Sequence, residues 1–103
     1  MNKYKIRYRE LAEKDLNGIY SYIVDTLKSP QAAGTLLDDI ERAVERIAMF
    51  PFSCMIFHHD PPLPEEFRML SVKNYAVFYV VKEDIVEIRR IIYAKMDLEK
   101  IIK

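Results

Sequence analysis

Apolar and polar positions along the chain change their period twice. Residues 3–8 alternate, with Tyr4, Ile6 and Tyr8 on one face and Lys3, Lys5 and Arg7 on the other. A period of two over this length predicts a half-buried strand. From Glu10 the spacing lengthens: Leu16, Ile19, Tyr20, Ile23 and Leu27 recur at helical intervals and predict a helix with one apolar stripe. Ser29-Pro30 interrupts it, supplying an N-cap hydroxyl and a proline whose missing N–H costs nothing at a first helical position. A second stripe, Ala33, Leu36, Leu37, Ile40, Val44, Ile47 and Ala48, stops at Phe50-Pro51, because proline disfavours helical geometry in the residue before it. Two amphipathic helices with so short a break between them are expected to fold back as an antiparallel hairpin.

Residues 51–66 show no period and contain four of the five prolines and both histidines, so they read as a loop. Three strands are predicted beyond it, over Phe67–Val72, Tyr75–Val81 and Ile85–Tyr93. Lys73-Asn74 and Lys82-Glu83-Asp84 are spaced to make hairpin turns, which predicts an antiparallel meander. Asp97 to Ile102 suits one closing helical turn, with Leu98, Ile101 and Ile102 facing inward. The fold class is therefore α+β: an antiparallel sheet of about four strands packed on an N-terminal helical hairpin, in the order β-α-α-β-β-β-short α.

Composition narrows this picture. A chain of 103 residues, half of them apolar and only two of them glycine, suits a single domain spanning 1–103 with a real core. The lone Cys54 excludes an internal disulfide and fits a reducing cytoplasm. No apolar run approaches the roughly 20 residues that span a bilayer, and the basic start has no apolar stretch behind it. Sixteen basic residues balance sixteen acidic ones, which excludes a strongly cationic nucleic-acid binder. The balance is uneven along the chain. Asp25, Asp38, Asp39, Glu41 and Glu45 lie in the first half beside Arg42 and Arg46, while residues 67–100 hold Arg68, Lys73, Lys82, Arg89, Arg90, Lys95 and Lys100 against Glu83, Asp84, Glu87, Asp97 and Glu99.

Candidate chemistry is sparse. Gly18 and Gly34 both fall inside predicted helices, so there is no phosphate-cradling loop. Cys54, His58 and His59 are too few for structural zinc and read as a solvated loop; either histidine could serve as a general base near neutral pH. No metal and no cofactor are expected. Tyr75, Phe78, Tyr79 and Tyr93 lie on adjacent predicted strands near Arg68, Arg89, Arg90 and Lys95. Such a set could hold a phosphate backbone and stack bases, with guanidinium groups stabilising charge that builds up in a transition state. Residue by residue, the plainer reading is of core tyrosines with a wet hydroxyl and of arginines that are solvated or paired with Glu83, Asp84 and Glu87.

Four blocks in this order resemble the RelE/ParE superfamily of toxins. They are Tyr4-Lys5-Ile6-Arg7-Tyr8 with Ala12–Leu16 and Ile19–Ile23; Pro30–Ala33 running to Ile47-Ala48-Met49-Phe50-Pro51; Phe67–Leu70 with Lys73–Val81; and Ile88–Tyr93 with Asp97-Leu98-Glu99. The resemblance covers nearly the whole chain. It implies the toxin half of a type II toxin–antitoxin module, of the plasmid-stabilisation kind, inhibiting growth in the cytoplasm until a cognate antitoxin neutralises it. A homodimer or a toxin–antitoxin hetero-oligomer is the implied assembly.

The family divides by target, and the resemblance leaves both branches open. RelE-type members cut mRNA on the ribosome with basic side chains in place of a histidine pair; ParE-type members poison DNA gyrase. In the first case Arg68, Arg90 and Lys95 would bind phosphate as catalytic residues and Tyr93 would position or exchange a proton, with Tyr75, Tyr79 and Arg89 binding substrate. Two departures weaken a ribonuclease: Ala76 follows Tyr75 where an arginine is common, and Met96 follows Lys95 where a second basic residue is common. One lost phosphate-facing cation is worth several kcal/mol of transition-state stabilisation. A decayed toxin that only binds its antitoxin is the third reading.

Overall fold

A computed structural model describes residues 3–95. The expected helical turn over 97–102, and Met96, lie outside the described residues. Strand β1 (Lys5–Tyr8) leads into helix α1 (Glu10–Ser21), a single π-turn (Tyr22–Thr26) and helix α2 (Pro30–Met49). Strands β2 (Met55–Ile56), β3 (Arg68–Val72), β4 (Tyr75–Lys82) and β5 (Ile85–Tyr93) follow.

The α+β class and the helical hairpin are as expected, but the sheet departs from four antiparallel strands. It has five, in the order β1-β5-β4-β3-β2. The meander β3-β4-β5 is antiparallel, and β1 pairs parallel to β5, with Lys5 opposite Ile85 and Tyr8 opposite Ile88. Period-two alternation carries no information on strand direction, so only the tertiary arrangement reveals this pairing. The extra strand comes out of the supposed loop, where Met55 and Ile56 pair with Met69 and Arg68. Two residues are too few to display alternation; β3 imposes the extended shape on them.

The first helix also ends differently. Its buried stripe is Ala12, Leu16, Ile19 and Ile23, all packed into the main core. Tyr20 lies about 100° round the helix from Ile19 and is exposed. After Ser21 the hydrogen bonds widen, with the Leu27 N–H reaching the Tyr22 carbonyl at 3.2 Å. That wider turn slips the phase of the stripe and leaves Leu27 exposed as well. Lys28, at φ 55°, then reverses the chain, and the Ser29 hydroxyl accepts from the Ala32 N–H at 3.3 Å with Pro30 in the first turn.

Both faces of the sheet are covered. Toward the helices, Val77, Tyr79, Val86, Ile88 and Ile91 pack against Leu36, Ile40, Val44 and Ile47. On the other face, Phe67, Ala76, Phe78, Val80 and Ile92 gather with Phe57, Leu63 and Met69. The proline-rich segment after β2 therefore closes the sheet's second face. Between Phe78 and Tyr79 the register shifts: Phe78 is opposite Arg90 and Tyr79 opposite Ile88, so Arg89 is the extra residue of a β-bulge.

Candidate functional site

The arginine and tyrosine candidates lie on three strands, and the fold disperses most of them. Tyr79 is fully buried, and its hydroxyl donates to the Pro51 carbonyl at 2.7 Å. Burial, with the neighbouring Cys54, pushes its pKa well above the ordinary tyrosine value. It ties the end of α2 to the sheet, and with no surface it has no means of touching a substrate. Arg68, on β3, donates to the Cys54 carbonyl at 2.7 Å and to Glu66 at 3.1 Å, and lies over the Phe52 ring. These contacts hold the 52–56 segment against β3, which β4 separates from β5. Neither residue is placed with the rest of the expected set.

Arg89 is spent on structure too. From the bulge it makes two hydrogen bonds of 2.9 Å to Glu65 and two, of 2.8 and 3.1 Å, to Glu87, over the Phe67 ring. Glu65 also pairs with Lys82 at 2.8 Å, and Arg9 reaches the buried Glu87 at 3.4 Å. The hydrogen bond from Arg89, then that from Lys82, pulls the Glu65 carboxyl down from 4.5 to about 2. Burial is the largest single influence on Glu87 and disfavours its charge, yet the Arg89 hydrogen bond together with the charges of Arg89, Arg9 and Lys82 outweighs it, and the carboxyl is held below its ordinary value. This network fastens the covering segment to the second face of the sheet.

What remains together is Tyr75, Arg90 and Tyr93, at the end of the sheet where α1 passes. The Tyr75 and Tyr93 rings meet edge to face, 5.6 Å between centroids. Burial, then the nearby Tyr93 and Tyr22, raises the Tyr75 hydroxyl's pKa. Arg90 is clamped by Asp15 through hydrogen bonds of 2.7 and 3.0 Å, which hold its guanidinium charged. These residues line a groove of about 1070 Å³ whose other wall is the helical hairpin: Ile19, Tyr22, Ile23, Leu27 and Leu36. Lys14 and Lys73 stand at its rim, and Lys95 is exposed just past β5.

The groove is mostly apolar, with Tyr22 and Leu27 each more than half exposed and Tyr93 36% exposed. Exposed aromatic and aliphatic side chains gathered in a concave surface are the features of an interaction or ligand-binding site. Sequence reasoning missed three of its residues. Tyr22 and Leu27 lie where the π-turn slips the helix phase, and Asp15 reads simply as a charge on a solvated helix face. Leu27 sits on the predicted stripe, so nothing in the pattern distinguishes it. His58 and His59 lie apart from this groove, the His59 ring bonding the Pro61 carbonyl at 2.8 Å.

The sequence matches the family described as the ParE toxin of the type II toxin–antitoxin system parDE, over residues 6–98. Comparison with curated proteins gives no match. Among solved structures the fold is similar to the chromosomal ParDE toxin–antitoxin system from P. aeruginosa, with a TM-score of 0.72 and 21% identity over 90% of this chain and 98% of that one. It is also similar to the archaeal RelE–RelB complex from Pyrococcus horikoshii OT3, with a TM-score of 0.54 and 12% identity over 91% and 98% of the two chains. No helix among the described residues is long and apolar enough to cross a membrane.

Proposed function

Because the chain belongs to the ParE toxin family of type II toxin–antitoxin systems, we propose that it arrests growth in the cytoplasm by docking on DNA gyrase, without cutting mRNA, until an antitoxin covers it. The observation that carries this reading is the state of the arginines. Arg68 is held by Glu66 and a carbonyl, Arg89 by Glu65 and Glu87, and Arg90 by Asp15. A ribonuclease of this family would need at least two cations converging on one phosphate, where each is worth several kcal/mol. Here a carboxylate already occupies each guanidinium, and moving a phosphate into its place costs that ion pair. The second face of the sheet, the other place where RNA could lie flat, is filled by Phe57 and Leu63.

An apolar groove beside tyrosines suits protein docking instead. Protein interfaces are anchored by buried aromatic side chains, and Tyr22, Tyr75 and Tyr93 supply them. The same groove is where we place the antitoxin, so that neutralisation and target binding compete for one surface. Expression of the chain should arrest growth while primer extension finds its mRNAs uncut. The product of the adjacent reading frame should restore growth and co-purify with it. Ribosome-dependent cuts that vanish in an Arg90→Ala/Lys95→Ala variant would instead establish the nuclease. Antitoxin binding with neither growth arrest nor RNA cuts would identify a decayed toxin.

A further inference from the structure

The outer edge of β1 carries a second surface, which shares no lining residue with the groove. Lys5 N–H donates to the Asp84 carbonyl at 2.8 Å and Arg9 N–H to the Ile88 carbonyl at 3.0 Å, both toward β5. Amides alternate along a strand, so those of Ile6 and Tyr8 point the opposite way. Tyr4, next in that outward series, donates to the Ala48 carbonyl at the end of α2, 2.9 Å away. Beyond β1 the described residues supply no further strand. The edge thus presents free main-chain donors and acceptors, the ordinary template for strand addition.

Beside this edge runs a groove of about 790 Å³ between Ile6 and Tyr8 of β1 and the face of α2 that carries Asp38, Glu41 and Glu45. Glu45 is paired with Lys3, whereas Asp38 and Glu41 have no ion pair with any described residue. Arg42, the one cation among the lining residues, is engaged by Asp39 at 3.7 Å. Burial, and then Glu41 and Glu45, pushes the Tyr8 hydroxyl's pKa up, a sign of the negative potential in the groove. The three acids span about 10 Å of helix axis, and alternate side chains of a strand are about 7 Å apart, so two successive inward-facing side chains would cover them.

We propose that the open β1 edge and the acidic face of α2 together form a docking site for an extended segment of a partner protein that presents alternating cationic side chains. Main-chain hydrogen bonds to Ile6 and Tyr8 would hold the segment, and every second side chain would place a lysine or arginine between β1 and α2. A second copy of this chain is a poor occupant. Antiparallel pairing of two β1 strands would set Lys5 opposite the Arg7 of the other copy, or Arg7 opposite itself, and like charges directly opposite destabilise a strand pair. The site is independent of the toxin's target and of the apolar groove.

The test uses the full chain and an acetylated, amidated (Thr-Lys)4 peptide at low salt. Amide-resolved NMR should show slower hydrogen exchange at Ile6 and Tyr8, about tenfold or more at saturation. The Asp38→Asn/Glu41→Gln variant should weaken the affinity about tenfold, and added salt should do the same. A (Thr-Glu)4 peptide should not bind. The proposal is overturned if (Thr-Lys)4 fails to bind at millimolar concentration, if it binds without protecting those two amides, or if (Thr-Glu)4 binds as well. Antitoxin binding to the same samples would be unaffected by the variant, so failure here leaves the toxin reading standing.

Discussion

Asp15 holds Arg90 by two hydrogen bonds, and the same carboxylate accepts the Ile91 amide at 2.9 Å. β1 pairs with β5 only as far as Ile88, so the rest of that edge would be open. α1 lies along it, and one side chain both satisfies an edge N–H and neutralises the guanidinium that a ribonuclease would have used.

Removing that carboxylate should therefore cost stability and release a cation. Both side chains are more than four-fifths buried. Asp15→Ala should destabilise the fold by about 2–3 kcal/mol, somewhat less than a fully buried pair because some solvent remains. A thermodynamic cycle with Arg90→Ala should return about 1–2 kcal/mol of coupling in denaturant unfolding. Additive effects would mean the pair is not formed.

Tyr79 gives a separate test of its placement as a core residue. Tyr79→Phe leaves the buried Pro51 carbonyl without its donor and should cost about 1–2 kcal/mol. Antitoxin affinity, measured by calorimetry, should not change. A loss of binding at full stability would return Tyr79 to the binding surface.

The Glu65–Arg89 contact should be visible in the pH dependence of stability. Glu65 is held at about 2 in the fold, below its ordinary 4.5. The folded state thus binds the proton less tightly than the unfolded chain, so this contribution is complete above the unfolded value. It is lost as pH falls from about 4.5 toward 2. Glu65→Gln should be less stable than the parent at pH 7, and the difference should shrink across that acid window. A constant difference from pH 7 to pH 2 would contradict the pairing.

For the apolar groove, exposure and function separate cleanly. Leu27 is more than half exposed, so Leu27→Lys should shift stability by no more than about 0.5 kcal/mol, while Tyr93→Lys should cost about 1 kcal/mol because it also removes the edge-to-face contact with Tyr75. If the antitoxin fills the groove, each should weaken toxin–antitoxin affinity by about tenfold or more, the scale of an interface hot spot. Unchanged affinity in both would move the antitoxin elsewhere.

The helical hairpin was legible from residue spacing because Ser29, Pro30 and the stripe from Ala33 to Ala48 each report their own local geometry. The meander was legible for the same reason, through short turns at Lys73-Asn74 and Glu83-Asp84. What escaped depends on partners distant in sequence. Strand β2 exists only because Met55 and Ile56 meet β3, and the parallel β1–β5 pairing joins residues about 80 positions apart. The site shows the same division. Tyr75, Arg90 and Tyr93 stand out by their place on the strands and share the groove, but Arg68, Tyr79 and Arg89 stand out on the same grounds. Pairing with Glu66, Pro51 and Glu65 commits those three to structure, and a single sequence does not display such contacts.

The central claim is that this toxin acts by docking on gyrase rather than by cutting RNA. Its most direct test is DNA supercoiling by purified gyrase with the purified chain, with and without its antitoxin. Supercoiling should fall as the chain is added and recover when an equimolar amount of antitoxin is present, with Arg90→Ala/Lys95→Ala retaining the effect. Full supercoiling at a large excess of folded chain would contradict the account.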